Sequence, residues 1–196
     1  MENKVNVLFI KIPKTGSTSI RKSLNLPPGH QTLAMFKEVG TTYDYSFTFV
    51  RNTYTRLVSW YRHEYNHNIE EFRQWVKAGC VVDWEDDWNA SWQDNKPLNQ
   101  MNYITDKSGN INIDFIGFFE NINDDFLELC NELDINPPPK LAHIIPKPFL
   151  ETREARVERT QFSYNAEMYY DMETKEIVDN LFKDEIEYFK FKFFEK

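Results

Sequence analysis

The chain has 196 residues, of which 41% are hydrophobic and 16% aromatic. Those proportions supply enough apolar surface for one sizeable core, so we expect a single globular domain over residues 1–196 and exclude an intrinsically disordered chain. The formal net charge of -8 argues against nucleic acid as a partner, because such a surface needs clustered lysine and arginine, yet it permits a small positive pocket for an anion.

The N-terminal apolar run, residues 5–12, predicts a buried strand of a parallel sheet, because it is rich in β-branched residues and is followed by a proline. Residues 17–26 place Ile20 and Leu24 at helical spacing and end before two prolines. The strand, the short loop and the helix form the first half of a βαβ unit. No segment reaches the length of a membrane span, and we expect a cytoplasmic protein.

A second strand is predicted at residues 45–50, "YSFTFV", after a short helix at residues 32–39. The strand leads into "RNTYTRLVSWYRHEY", whose apolar stripe predicts an amphipathic helix. Arg56 lies in this helix, and we expect its side chain to be solvated. Another helix is predicted at residues 69–78, because a glycine follows it.

The periodic pattern disappears between residues 80 and 97, where tryptophans stand among acidic and amide residues. Indole rings stack on sugar rings and on other apolar ligands. Trp84, Trp88 and Trp92 are therefore candidates for recognising an acceptor molecule, with coverage of the core as the alternative. Long segments without regular structure are commonly functional.

The C-terminal half contains one more strand signal and two helix signals. Residues 111–119 predict the third strand, which follows the turn signal "KSGN". Asn123, Asp124 and Asp125 predict the N-terminus of a helix, since acidic and amide side chains favour that end. Residues 173–189 predict a single last amphipathic helix.

The loop between the first strand and its helix, "PKTGSTS", combines one lysine with a glycine and several hydroxyl residues. Backbone N–H groups and the dipole at a helix N-terminus attract an anion. Gly16 allows the backbone to approach that anion, and Lys14 adds a positive charge. The combination predicts a phosphate or sulfate site, with a simple helix cap beside a solvated lysine as the structural alternative.

A Walker-type nucleotide loop does not match this sequence, because it needs its lysine after the glycines and Lys14 precedes Gly16. The acidic residue that would hold magnesium after the second strand is also missing, since Arg51 stands there. A cation at that position suits a second phosphate, and we expect no metal. A kinase that uses the same loop remains an alternative, as does a nucleotide-binding protein without catalysis.

Two segments together resemble one enzyme family. "IKIPKTGSTSI" resembles the 5′-phosphosulfate loop of sulfotransferases that use 3′-phosphoadenosine 5′-phosphosulfate (PAPS), and "FTFVRNTYTRLVSWY" resembles their 3′-phosphate motif. The resemblance is closer to Golgi-type carbohydrate sulfotransferases and their bacterial relatives, and it extends to residues 114–135 and 169–191. It implies an α/β fold, namely a P-loop-like three-layer sandwich with a central, mainly parallel sheet flanked by helices.

The same resemblance implies a reaction and the residues that bind its donor. The sulfuryl group of PAPS would pass to a hydroxyl or amine of a small molecule or glycan, leaving 3′,5′-adenosine bisphosphate (PAP). Arg51 and Ser59 would bind the 3′-phosphate. The residues assigned to the 5′-phosphosulfate are Lys14, Thr15, Gly16, Ser17, Thr18 and Ser19.

The reaction needs a group that neutralises the leaving phosphate and a base that takes the acceptor proton. Lys14 is the candidate for the first role. Relatives often use a histidine between the two phosphate motifs as the base, and His30 stands there, with His63 and Glu64 as alternatives. His143 matches a later family block only in part, because the residues on either side of it differ.

Overall fold

The computed structural model describes residues 5–65, 67–82, 98–142 and 165–194. In that part of the chain, three strands form one sheet in the order β1 (Val7–Ile10), β2 (Tyr45–Val50) and β3 (Phe115–Phe118). Both pairings are parallel, and the central strand pairs Phe47 with Phe9 and with Phe115. The three predicted strands are confirmed, although the first and third are shorter than their apolar runs.

Eight α-helices occur among the described residues. They are α1 (Ser17–Ser23), α2 (Leu33–Glu38), α3 (Thr53–Glu64), α4 (Ile69–Lys77), α5 (Met101–Ile104), α6 (Ile122–Glu132), α7 (Met172–Leu181) and α8 (Lys183–Phe189). Two short 3₁₀ helices precede α6 and α7, at Phe119–Asn121 and Ala166–Tyr169. Within these described ranges, no helix has both the length and the apolar composition of a membrane span.

Helices cover both faces of the sheet. Successive strand residues point to opposite sides, and those on both sides are apolar, so each face needs a covering layer. One face packs against α1 and α6 through Phe9, Phe47, Phe49, Ile20, Phe126 and Leu129. The other face packs against α2 and α5 through Leu8, Ile10, Val50, Leu33, Tyr103 and Ile104. The predicted α/β three-layer sandwich is therefore confirmed, with a parallel central sheet.

A third apolar cluster lies beside the sheet and joins α3, α4 and α7. Leu57, Phe72 and Val178 contribute fully buried side chains to it. The ring of Phe72 meets the rings of Tyr61 and Tyr170 edge to face at 5.4 and 5.2 Å between centroids, an arrangement that adds to the area buried. This cluster fixes α3, the helix that follows the second predicted phosphate motif.

The last predicted helix, residues 173–189, is wrong as a single element, because it breaks at Phe182. That residue has φ -115° and ψ 24°, and its ring is fully buried. The helix before the break packs Val178 into the cluster beside the sheet, whereas Phe189 after it packs against the sheet. Apolar periodicity continued across Phe182, so the sequence did not reveal the break in the helix.

The start of α6 also differs from the prediction. Its N-cap is Asn121, two residues before the predicted start, and the cap makes no side-chain hydrogen bond. Asp124 and Asp125 lie in the first turn, as the dipole argument requires. The carboxylate of Asp125 accepts a 2.5 Å hydrogen bond from the N–H of Phe118 and so ties the helix to β3.

Candidate functional site

The loop between β1 and α1 is shaped by its own backbone. Lys14 and Gly16 both have positive φ, at 67° and 77°. The buried hydroxyl of Thr15 donates to the carbonyl of Ile12 at 2.9 Å, so in this structure it stabilises the turn. A Cβ on Gly16 would lie 2.4 Å from Cδ1 of Ile122, so glycine alone fits there without a shift.

The helix that leaves this loop begins at Ser17, with Gly16 as its N-cap. The amide of Ser19 donates to the carbonyl of Gly16 at 2.9 Å. The amides of Ser17 and Thr18 precede that bond and have no acceptor within the helix, because the first turn leaves such groups unpaired. Thr18 and Ser19 are half-buried, so their hydroxyl groups lie near the surface of the loop.

Arg51 follows β2 directly and reaches the first loop. Its Nη1 donates to the carbonyl of Lys14 at 3.2 Å, and its Nε donates to the hydroxyl of Thr55 at 3.0 Å. The guanidinium lies 4.3 Å from the ring centroid of Phe119, at the end of β3. The two predicted phosphate motifs therefore meet at the carboxyl edge of the sheet, where open α/β sheets bind ligands.

Ser59, the second residue predicted to bind the 3′-phosphate, lies half-buried in α3. It follows Thr55 by four residues, so the two side chains share one face of the helix. Because Thr55 accepts a hydrogen bond from Arg51, this face is the one directed toward Arg51. The spacing of the motif thus places Ser59 one turn beyond the arginine contact.

His30 lies against the end of β1, with its Nδ1 at 2.9 Å from the carbonyl oxygen of Lys11. A carbonyl only accepts, so Nδ1 carries the proton and the neutral ring has its lone pair on Nε2. Burial, with a contribution from the Lys11 charge, lowers the pKa of His30 below 6.5, although the hydrogen bond opposes this. The ring is therefore neutral at pH 7, the form that accepts a proton.

The two alternative bases lie together at the end of α3. Nδ1 of His63 is 2.6 Å from Oε1 of Glu64. This hydrogen bond, with a smaller contribution from the charge of Lys14, lowers the pKa of Glu64 below its ordinary value. A carboxylate with a lowered pKa is a weaker base. The contribution of Lys14 to this pKa means that Glu64 lies within electrostatic reach of the first loop.

Comparison with known proteins identifies the class. A family model described as "Sulfotransferase family" matches residues 1–192. The chain belongs to the sulfotransferase family. The resemblance of the two motifs to sulfotransferases is thereby confirmed, and the parallel sheet agrees with the α/β fold of such enzymes. A search of curated proteins found no match.

Sequence reasoning missed one cation of this sulfotransferase. Lys11, just after β1, is only 7% exposed. Burial, with a smaller contribution from the charge of Arg21, lowers the pKa of Lys11 to about 8. The sequence did offer a signal for this burial, because Lys11 lies inside the apolar run that continues to Ile12.

The expectation that Arg56 is solvated is wrong. Its side chain is fully buried, and its Nη2 lies 3.9 Å from the equally buried carboxylate of Glu185. The same nitrogen donates to the carbonyl of Leu98. Arg56 precedes the buried Trp60 by four residues, so its place on the buried face of α3 was visible in the helical spacing.

The tryptophans proposed for acceptor recognition, Trp84, Trp88 and Trp92, lie outside the described residues. His143 also lies outside them. The described residues of this sulfotransferase therefore include the loop with Lys14, the arginine after β2, and His30 between them in sequence.

Proposed function

We propose that this protein transfers the sulfuryl group of PAPS to a hydroxyl or amine of a small molecule or glycan. The observation that carries the proposal is the 3.2 Å contact between the guanidinium of Arg51 and the carbonyl of Lys14. The guanidinium of one motif thereby contacts the backbone of the loop that carries the lysine of the other motif. A nucleotide with phosphates on both its 3′ and 5′ positions needs two such charges, whereas one phosphate needs a single loop.

The residues around the first loop fit the 5′ end of such a nucleotide. Gly16 packs directly against Ile122 and Phe119, so the absence of a Cβ lets the loop keep its positive φ beside them. The amides of Ser17 and Thr18 supply donors, and Lys14 supplies a charge. The donor set contains amides, hydroxyls and cations, which is the chemistry that phosphate and sulfate groups require.

Bound PAPS would supply an activated sulfuryl group, and the chain would supply the charge and proton handling. Nε2 of His30 takes the acceptor proton while the acceptor oxygen or nitrogen bonds to sulfur and the bond between sulfur and the bridging phosphate oxygen breaks. Lys14 neutralises the charge that this bond leaves on the phosphate. Since the lowered pKa of His30 keeps its ring neutral, the base is ready at pH 7.

The acceptor class is proposed from the resemblance to carbohydrate sulfotransferases. The segment between residues 80 and 97 supports it, because its tryptophans suit the faces of sugar rings. Its acidic residues disfavour an acceptor that is already heavily sulfated, since like charges would repel. The preferred acceptor is therefore a weakly charged glycan or small alcohol.

A thermal-shift comparison tests the donor. PAP without magnesium is expected to raise the unfolding midpoint, because a ligand at 100 times its dissociation constant stabilises the folded state by about 2.7 kcal/mol. ATP with magnesium is expected to leave it unchanged. The opposite pattern would identify a kinase. Radiolabelled PAPS offered with a panel of glycans and alcohols then identifies the acceptor, and binding without transfer to any of them would identify a binding protein.

A further inference from the structure

The backbone of Arg51 is held by one side chain from a distant segment. Arg51 lies just beyond the last pair of the sheet, Val50 with Phe118, so no strand partner continues the ladder there. Instead, Oε1 of Gln100 accepts from the N–H of Arg51 at 2.9 Å, and Nε2 of Gln100 donates to the Arg51 carbonyl at 2.8 Å. A single buried amide thus replaces the missing strand partner.

The orientation of this amide is determined by a buried carboxylate. Oε1 of Glu185 accepts from Nε2 of Gln100 at 2.6 Å, and Oε2 of Glu185 accepts from the Gln100 N–H at 2.5 Å. Because a carboxylate only accepts, the nitrogen of the amide must face Glu185. The amide oxygen then faces the N–H of Arg51, and a flipped amide would break the side-chain hydrogen bonds of Gln100 to both Arg51 and Glu185.

The carboxylate of Glu185 is itself compensated inside the protein. The hydroxyl of Thr53 donates to Oε1 at 2.5 Å, and the guanidinium of Arg56 lies 3.9 Å from Oε2. All of these side chains, with Gln100, are fully buried. Both oxygens of this buried carboxylate are hydrogen-bonded, so a different arrangement of Gln100 would leave desolvated polar groups without their bonds.

We propose that Gln100 is a positioning residue for the 3′-phosphate, held in one orientation by the Glu185–Arg56 pair. It fixes the peptide groups on both sides of the Arg51 Cα, and the side chain of Arg51 then extends from a fixed point toward Lys14. This inference rests on the proposed function, in which Arg51 binds the 3′-phosphate of PAPS. Recognition of that phosphate therefore depends on residues that do not touch it.

Titration calorimetry with PAP and with adenosine 5′-monophosphate (AMP) tests the role, because the two ligands differ only in the 3′-phosphate. The dissociation constant of AMP divided by that of PAP measures how much the 3′-phosphate contributes to affinity. We expect Gln100→Met to lower the ratio about tenfold, since charge-assisted hydrogen bonds depend on geometry. A general loss of stability would weaken both ligands equally and leave the ratio unchanged.

The matched control is Thr48→Val. Thr48 is buried in β2, and its hydroxyl donates to the carbonyl of Ile10 at 2.8 Å without contacting Arg51. This variant loses a buried side-chain hydrogen bond in the same strand and should keep the wild-type ratio. If Gln100→Met does not fold, Gln100→Asn carries the test, because its shorter amide cannot span Arg51 and Glu185 together.

Arg51→Met separates the two ways in which the idea can fail. A lowered ratio in Arg51→Met with an unchanged ratio in the folded Gln100 variant would overturn the positioning role alone. An unchanged ratio in Arg51→Met would overturn the assignment of Arg51 to the 3′-phosphate, and the proposed function with it. A lowered ratio in both supports the inference.

Discussion

The two motifs that meet at the carboxyl edge of the sheet are built in different ways. The first loop is shaped largely by its own residues, through the positive φ of Lys14 and Gly16 and a hydrogen bond from Thr15 to a residue three positions earlier. Arg51 is instead held by Gln100, Phe119 and other residues from segments far along the chain. A short motif can therefore encode the first structure but not the second.

The first loop and Arg51 are also expected to serve different functions. Under the proposed function, the loop whose backbone is fixed locally would provide amides and one lysine for the group that reacts. Arg51, whose backbone is fixed by a buried network, would provide selectivity for the other end of the same nucleotide. Changes in the first loop should therefore slow transfer, whereas changes around Arg51 should weaken discrimination among nucleotides.

Removal of the loop lysine is expected to have the largest effect. Lys14→Met should lower the transfer rate at saturating PAPS by roughly 10²–10³-fold, the range for removing one group that stabilises developing negative charge. The affinity for PAP should fall much less. Single-turnover rates and PAP calorimetry measure the two quantities. Lys22→Met, which changes an exposed lysine of α1, is the control, and equal losses of rate and affinity would make Lys14 a binding contact only.

Removal of the proposed base should slow transfer by roughly 10²-fold. His30→Asn can still donate a hydrogen bond but cannot accept a proton at neutral pH. In the wild type, the midpoint of the acid limb of the rate should lie below pH 6.5, because burial lowers the pKa of His30 from 6.5 and the protonated ring is inactive. The pH profile of transfer measures this limb, and His30→Asn should lack it.

His63→Asn and Glu64→Gln are the controls for that experiment, because both change the alternative bases at the end of α3. Each should retain most of the wild-type rate and the wild-type pH profile. A large loss in either variant, together with near-normal transfer by His30→Asn, would move the base from the β1 end of the site to α3.

The glycine of the first loop links the two regions. Gly16→Ala would place a Cβ 2.4 Å from Ile122 and 3.2 Å from Phe119, the ring beneath the guanidinium of Arg51. Overpacking of this kind costs roughly 1–3 kcal/mol of unfolding free energy, and PAP affinity should fall with it. Gly40→Ala is matched in backbone, with φ +70° against +77°, but no described heavy atom lies within 4 Å of its Cβ.

Gly40→Ala should therefore show only the cost of a left-handed alanine, about 1 kcal/mol. Denaturant unfolding of both variants measures the difference between them. Equal destabilisation would mean that the packing of Gly16 against Phe119 and Ile122 contributes nothing, and that the first loop is independent of the residues that hold Arg51.

The sequence predicted what is local and missed what is assembled at long range. The strands, most helices and the loop of Lys14 follow from short apolar runs, prolines and a glycine, which act on their neighbours. Gln100 and Glu185 carried no signal, because a glutamine in an irregular segment and a glutamate in a charged helix are ordinary on the surface. Only the fold brings them to Arg51.

The break at Phe182 was missed for a related reason. Apolar periodicity reports which residues are buried but not which cluster buries them, and Val178 before the break and Phe189 after it enter different clusters. Lys11 was missed because a lysine is commonly exposed, even where it lies within an apolar run. Its pKa also depends on α1, whose Arg21 lies close enough to act on its charge.

The smallest expected effect concerns Lys11. Its pKa of about 8 lies below the ordinary 10.5, so the folded protein binds this proton less tightly than the unfolded chain. The contribution of Lys11 to stability is therefore unfavourable below pH 8 and improves as pH rises toward 10.5. Lys11→Met, which keeps the apolar stem, should raise the unfolding free energy at pH 7 by about 1 kcal/mol.

The test of Lys11 is the difference between the wild type and Lys11→Met as a function of pH. Because other groups titrate in both proteins, that difference isolates one lysine, and urea unfolding at pH 7 and pH 9.5 should show it shrinking. Lys22→Met should show no difference at either pH, since Lys22 is exposed. If the difference in unfolding free energy between the two proteins is the same at pH 7 and pH 9.5, Lys11 keeps its proton in the folded state at both. A favourable contact, rather than loss of the charge, would then compensate for the burial of Lys11.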